Sequence, residues 1–204
     1  MSTKSRDIVL ATHNRDKVVE MRAALVDLPV RLLSLDDFAS APNVVENGVT
    51  LEENAVKKVR AIHEFTGLPA LADDTGLMVA ALNGAPGVYS SRYAGLHATY
   101  ADNLKKLLQA LDGYALPHRQ AVFRAVMAFA HEGKIEVVDG KCAGTIALAP
   151  RGVGKFGYDP VFIVNSVGKT FAEMTVAEKN QISHRGRALK ATRKLLSAWL
   201  EGGR

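Results

Sequence analysis

The sequence predicts an α/β fold built on a mixed β-sheet, and three observations predict it. Strand-length apolar runs alternate with segments of helical periodicity as far as Leu111. From Gln120 the pattern turns hairpin-rich, and the chain closes on helices. A chain of 204 residues that is 48% hydrophobic can bury a sizeable core, as one large domain or two small lobes flanking a cleft.

Taken in order, residues 7–12 (DIVLAT) form a first buried strand. The polar loop HNRDK follows, and Val18, Met21, Leu25 and Leu28 then recur at helical spacing up to Pro29. After a polar loop at 40–48, Thr50-Leu51-Glu52-Glu53 is a capping-box pattern. It opens a helix with Leu51, Ala55, Val59 and Ile62 on one face, which Gly67 and Pro69 stop. PALADD is a second buried strand running into an acidic tip, and a long loop follows through to Gly95. Residues 99–111 are a helix striped by Leu104, Leu107, Leu108 and Leu111. AVFRAVMAFA and KIEVVDG form a β-hairpin about Glu132-Gly133; KCAGTIAL continues the sheet and VFIV adds a strand. Thr175 and Glu178 make a second capping box for a short helix. Ser183 caps the last helix, striped by Ala188, Ala191, Leu195 and Trp199.

Composition excludes several classes of function. The lone cysteine, Cys142, forbids an internal disulfide and suits a reducing cytoplasm. No apolar run approaches the roughly 20 residues that span a bilayer, and the short run near the N-terminus is no signal-peptide core. The net charge of +5 sits in residues 185–204, where six basic residues face one acidic residue. The remainder is neutral, so a global nucleic-acid surface is not expected, although a basic C-terminal helix keeps that alternative open as a distant one.

Gly152, Gly154 and Gly157 spell G-x-G-x-x-G, but not a dinucleotide fingerprint. That motif needs a strand before it and a helix opening at its third glycine. Here Pro150 precedes the run, and Tyr158-Asp159-Pro160 leads into the strand VFIV. The glycines alone suit a plain loop. Phe156 and Tyr158 beside Asp159 suggest more: rings that stack on a base and a carboxylate that accepts from its edge.

Four polar clusters point the same way. Thr12-His13-Asn14-Arg15-Asp16-Lys17 directly follows a strand, and amides at a helix start with a hydroxyl and a lysine can cradle phosphate. An ordinary polar loop explains it equally well. Asp73-Asp74-Thr75-Gly76 ends an apolar strand, where adjacent carboxylates call for a hard cation such as Mg²⁺, with Glu46 as a further oxygen donor. The plain alternative is a capped turn. Lys58 borders the apolar stripe of its helix, where a snorkelling lysine is the ordinary explanation. Lys179 and the Ser183-His184-Arg185 run could clamp an anion or a base edge.

LATHNRDK, LEENAVKK, LADDTGL, GAPGVYSSRYAG, FGYDPVF and EKNQISHRGRAL together make the chain resemble the inosine triphosphate pyrophosphatases, which hydrolyse noncanonical purine nucleotides (dITP/XTP pyrophosphatases). Each motif is weak alone; in this order, over nearly the whole chain, the set is specific. The resemblance implies a long mixed sheet flanked by helices in two lobes with a central cleft, one domain over 1–204, and a homodimer. It implies Mg²⁺-dependent hydrolysis of a purine nucleoside triphosphate to monophosphate and pyrophosphate; the charge distribution and the lack of a long apolar run add the expectation of neither nucleic acid nor membrane as partner. Carried over by position, Thr12, His13, Asn14, Arg15, Asp16 and Lys17 hold the triphosphate, with Lys58 and Thr75 also contacting phosphate. Asp74 is the catalytic carboxylate and binds metal with Glu46, and Asp73 supports the pair. Phe156, Gly157, Tyr158, Asp159, Lys179, His184 and Arg185 form the base pocket. His13 stands where a small residue is usual, and Thr75 where serine is more frequent. A rival within the enzyme class is an Mg²⁺ phosphohydrolase that releases inorganic phosphate.

Overall fold

Residue-level packing turns these patterns into a mixed sheet. The computed structural model describes residues 5–154 and 156–202; Arg204, counted in the C-terminal charge, lies outside them. The strands are β1 (Arg6–Leu10), β2 (Val30–Leu33), β3 (Ala70–Val79), β4 (Pro86–Gly87), β5 (Gln120–His131), β6 (Lys134–Ile146) and β7 (Phe162–Val164). The helices are α1 (Arg15–Leu25), α2 (Leu51–Thr66), α3 (Tyr100–Ala110), α4 (Val176–Ile182) and α5 (His184–Gly202). The sheet runs β2-β1-β3-β5-β6-β7, with β4 beside β3. β1 pairs parallel with β2 and β3, while β4 on β3 and β7 on β6 are antiparallel, so the α/β mixed-sheet expectation holds.

The chain divides into two compact units. The first comprises the described residues up to Asp74, Val126–Gly140 and the described residues from Ala188 onward; the second comprises Thr75–Ala125 and Lys141–Arg187. In the first, β1 is apolar and buried from Ile8 to Leu10, and α2 lays Leu51, Ala55, Val59 and Ile62 into the core, the stripe its spacing predicts. Thr50 caps α2 by accepting from the Glu53 amide, while the Glu53 carboxylate takes the Val49 amide, one residue before a true box partner. Glu132 and Gly133 both adopt positive φ, as a two-residue turn between twisted strands requires. In the second, Leu107, Leu111, Phe123, Phe162 and Phe171 form one apolar cluster.

Two expectations need correcting. Asp73, Asp74 and Thr75 lie in the middle of β3, not at a strand tip, because Leu77–Val79 resume the apolar pattern and β4 pairs with them. The buried line of α5 runs Ala188, Thr192, Leu196, rather than Ala188, Ala191, Leu195, Trp199. Thr192 donates its hydroxyl to the Ala188 carbonyl at 2.9 Å and so presents a methyl to the core.

The cations of α5 are largely engaged in the fold. Arg193 donates to the Ala24 carbonyl at 2.6 Å, Arg187 donates to the Lys141 carbonyl at 2.8 Å, and Arg185 is buried. Lys190 and Lys194 stay exposed.

Gly186 lies in the first turn of α5 against α4, where an added Cβ would overlap the Asn180 carbonyl. Gly186→Ala is expected to cost about 3 kcal/mol, since neither helix can retreat without repacking. A urea unfolding curve with unchanged slope and a lowered midpoint is the check.

Candidate active site

In the first unit, sequence-distant charges converge on β3. Asp73 and Asp74 are 0% and 7% exposed. Successive strand side chains leave on opposite faces, and these two find different partners. Asp73 Oδ2 lies 3.0 Å from Lys17 Nζ, one helical turn into α1. Asp74 Oδ1 lies 3.9 Å from Lys58 Nζ, and Glu46 Oε2 lies 3.1 Å from the same ammonium. Lys58 also donates to the Asp73 carbonyl at 2.6 Å. It is 8% exposed, so the snorkelling expectation fails: the ammonium turns inward and draws two carboxylates and a strand carbonyl together.

Burial raises the Asp74 pKa to about 6; Lys58 opposes that shift, Glu46 reinforces it, and Lys17 and the Asn54 amide oppose it more weakly. Asn54, fully buried, escaped the sequence reading, and its side-chain oxygen accepts from the Gly48 amide at 2.8 Å. Its spacing was the available signal, since Asn54 and Lys58 are four apart and share one edge of α2.

The loop before α1 differs from a simple amide cradle. Asn14 is the N-cap, and its side-chain oxygen accepts from the Asp16 and Lys17 amides at 3.0 and 3.3 Å. Thr12 Oγ1 accepts from the Asn14 amide at 3.2 Å. Three amides are thus engaged by the loop's own side chains. What the loop exposes is His13, Arg15 and Asp16, while the Lys17 ammonium turns onto the buried Asp73.

In the second unit, the Phe156 segment gathers a separate set. Lys179 Nζ pairs with Asp159 Oδ2 at 2.6 Å and lies 5.0 Å from the Phe156 ring centroid. The Arg185 guanidinium lies 5.7 Å from that centroid and donates to Thr75 Oγ1 at 3.4 Å. Gly157 adopts φ +51°, which lets the backbone turn between Phe156 and Asp159. His184 is buried, stacked on Phe123 with centroids 4.4 Å apart. Tyr158 does not join Phe156 as a second recognition ring. It is 5% exposed, its ring packs near Phe123, and its hydroxyl donates to the Ser90 carbonyl at 2.9 Å. Burial pushes that phenol's pKa up, so it stays a donor.

Residues 8–195 match the model of the Ham1 family. The chain belongs to the Ham1 family. Among its relatives is the dITP/XTP pyrophosphatase of Lactiplantibacillus plantarum, 46% identical over 198 residues that cover 97% of this chain and 98% of that protein. Another is the dITP/XTP pyrophosphatase of Geobacter sulfurreducens, 49% identical over 183 residues, covering 89% and 92%. Among solved structures, the HAM1 protein from Coxiella burnetii aligns with a TM-score of 0.88 at 45% identity, covering 95% of this chain and 99% of that one. The ordered motifs and the Ham1 match agree on the family.

Proposed function

We propose that this chain hydrolyses noncanonical purine nucleoside triphosphates, dITP/ITP and XTP/dXTP, to the monophosphate and pyrophosphate, with Mg²⁺ held by Asp74 and Glu46. The observation that carries this reading is the gathering of Glu46, Asp73 and Asp74 about the Lys17 and Lys58 ammonium groups. The names of relatives that align over nearly the whole chain support it.

The donor set fits the ion. Asp74 and Glu46 offer hard oxygens and already converge on a cation, the Lys58 ammonium. Among the described residues no group of three or more His, Cys, Asp or Glu side chains is placed to hold a metal, so water and substrate oxygens would complete the shell. When bound, Mg²⁺ would neutralise phosphate charge and polarise phosphorus. Lys17 and Lys58 bind the polyphosphate, assisted by Thr12, Asn14 and Thr75. Asp74, ionised above about pH 6, orients the attacking water and takes its proton. Asp73 holds Lys17 in place through a buried ion pair.

The base belongs to the Phe156 set. Phe156 stacks on the ring, and Asp159, fixed by Lys179, meets its polar edge. Arg185 donates to the 6-keto oxygen of hypoxanthine or xanthine. Adenine carries an amine there and would leave that donor unmatched, at a cost of about 1–3 kcal/mol. The homodimer enters this reading through the family resemblance, and the cytoplasmic setting through the lone cysteine.

Incubating the protein with Mg²⁺ and ITP, dITP, XTP, GTP or ATP tests the reading. Pyrophosphate is expected from the first three, at least about tenfold faster than from ATP, the factor one unmatched donor supplies. Release of inorganic phosphate instead would favour the rival phosphohydrolase, and turnover undiminished by EDTA would remove the metal from the account.

A further inference from the structure

We infer that Tyr100 is a positioning residue for base recognition, holding the Phe156 ring edge-to-face in the orientation that meets the purine; the inference rests on the pyrophosphatase reading above. The two rings have centroids 5.2 Å apart and planes at 66°, within the favourable range for an edge contact. Phe156 needs such a neighbour. It sits between Gly154 and Gly157 in a segment of irregular backbone, where Lys179 and Arg185 approach the ring as cations and Tyr100 supplies the aromatic edge contact that limits its rotamers.

Tyr100 is a fixed wall rather than a passing contact. It is the first residue of α3, whose start is locked by the Thr99–Asp102 capping box. Asn103, one turn on, accepts from the Ala94 amide at 2.7 Å and donates to the Ser91 carbonyl at 3.0 Å. Tyr158, two residues after Phe156, donates to the Ser90 carbonyl. Both partners of the ring pair are thus tied to the same segment, residues 90–94. Tyr100 nonetheless remains 39% exposed, as expected of a residue that borders a site rather than filling the core.

Steady-state kinetics with ITP on the native protein, Tyr100→Ala and Tyr100→Phe form the test, with tripolyphosphate as a competitive inhibitor that samples only the phosphate end. Tyr100→Ala is expected to raise KM about 3- to 10-fold, as loss of one edge-to-face pair allows, with kcat changed less than about twofold. The inhibition constant of tripolyphosphate is expected to stay unchanged, and Tyr100→Phe to behave as the native protein. An unchanged KM in Tyr100→Ala, an equal weakening of tripolyphosphate, or failure of Tyr100→Phe to restore KM would overturn the inference while leaving the pyrophosphatase reading intact. Absence of ITP turnover in the native protein would overturn both.

Discussion

Asp74→Asn is expected to abolish nearly all turnover, by about a thousandfold or more, while leaving the fold intact. The side chain keeps its shape but loses the charge that orients water and holds a cation. Retention of more than about a tenth of the activity would show that another carboxylate is catalytic, since even a single general base contributes about a hundredfold or more. The same substitution should not weaken the protein. The folded-state pKa of about 6 lies above the ordinary 3.8, so between those values the folded chain binds a proton that the unfolded chain has released. Stability of the native protein in EDTA should therefore fall as pH rises from about 4 to 6, by at most about 3 kcal/mol. The Asn variant should lose that slope and melt at pH 7 no lower than the native protein. Thermal melts across this window, in EDTA, read the sign directly.

Lys58→Met has the opposite character. Removing the ammonium leaves Glu46 and Asp74 to repel each other and strips the Asp73 carbonyl of its donor. Breaking a buried charge cluster from one side costs about 3–5 kcal/mol, somewhat less here because Glu46 is partly solvated. Because Lys58 holds the Asp74 pKa down, its loss pushes that pKa above about 6. The deficit should therefore shrink as pH falls toward about 6, where Asp74 takes up a proton in the variant before it does so in the native protein. Turnover should drop about a hundredfold or more. A deficit independent of pH would mean that the lost carbonyl bond, not the carboxylates, dominates.

Much of this was legible in the sequence because it rests on short-range rules. The α2 stripe, the Thr175–Glu178 box and the Glu132-Gly133 turn each follow from neighbours within four residues. What stayed hidden depends on distant partners. Nothing local says that Lys58 meets Glu46 and Asp74, and a lysine beside an apolar stripe usually points outward. The acidic pair looked terminal because two aspartates rarely sit inside a strand; the surrounding lysines and the Asn54 amide help make that position tolerable. Tyr158 was assigned by adjacency to Phe156, but residues two apart in an irregular segment need not face one way. Thr192 hid the true line of α5 because a hydroxyl satisfied within its own helix behaves as apolar surface.

The Asn14 cap has a practical consequence. With the Asp16 and Lys17 amides already taken, attraction for a polyanion at that loop rests on side-chain charge more than on fixed backbone dipoles. Such attraction is readily diluted by competing ions. Kinetics measured in phosphate or sulfate buffer would then report competition for Lys17 and Lys58, and substrate affinity should improve steadily as the medium is made less saline.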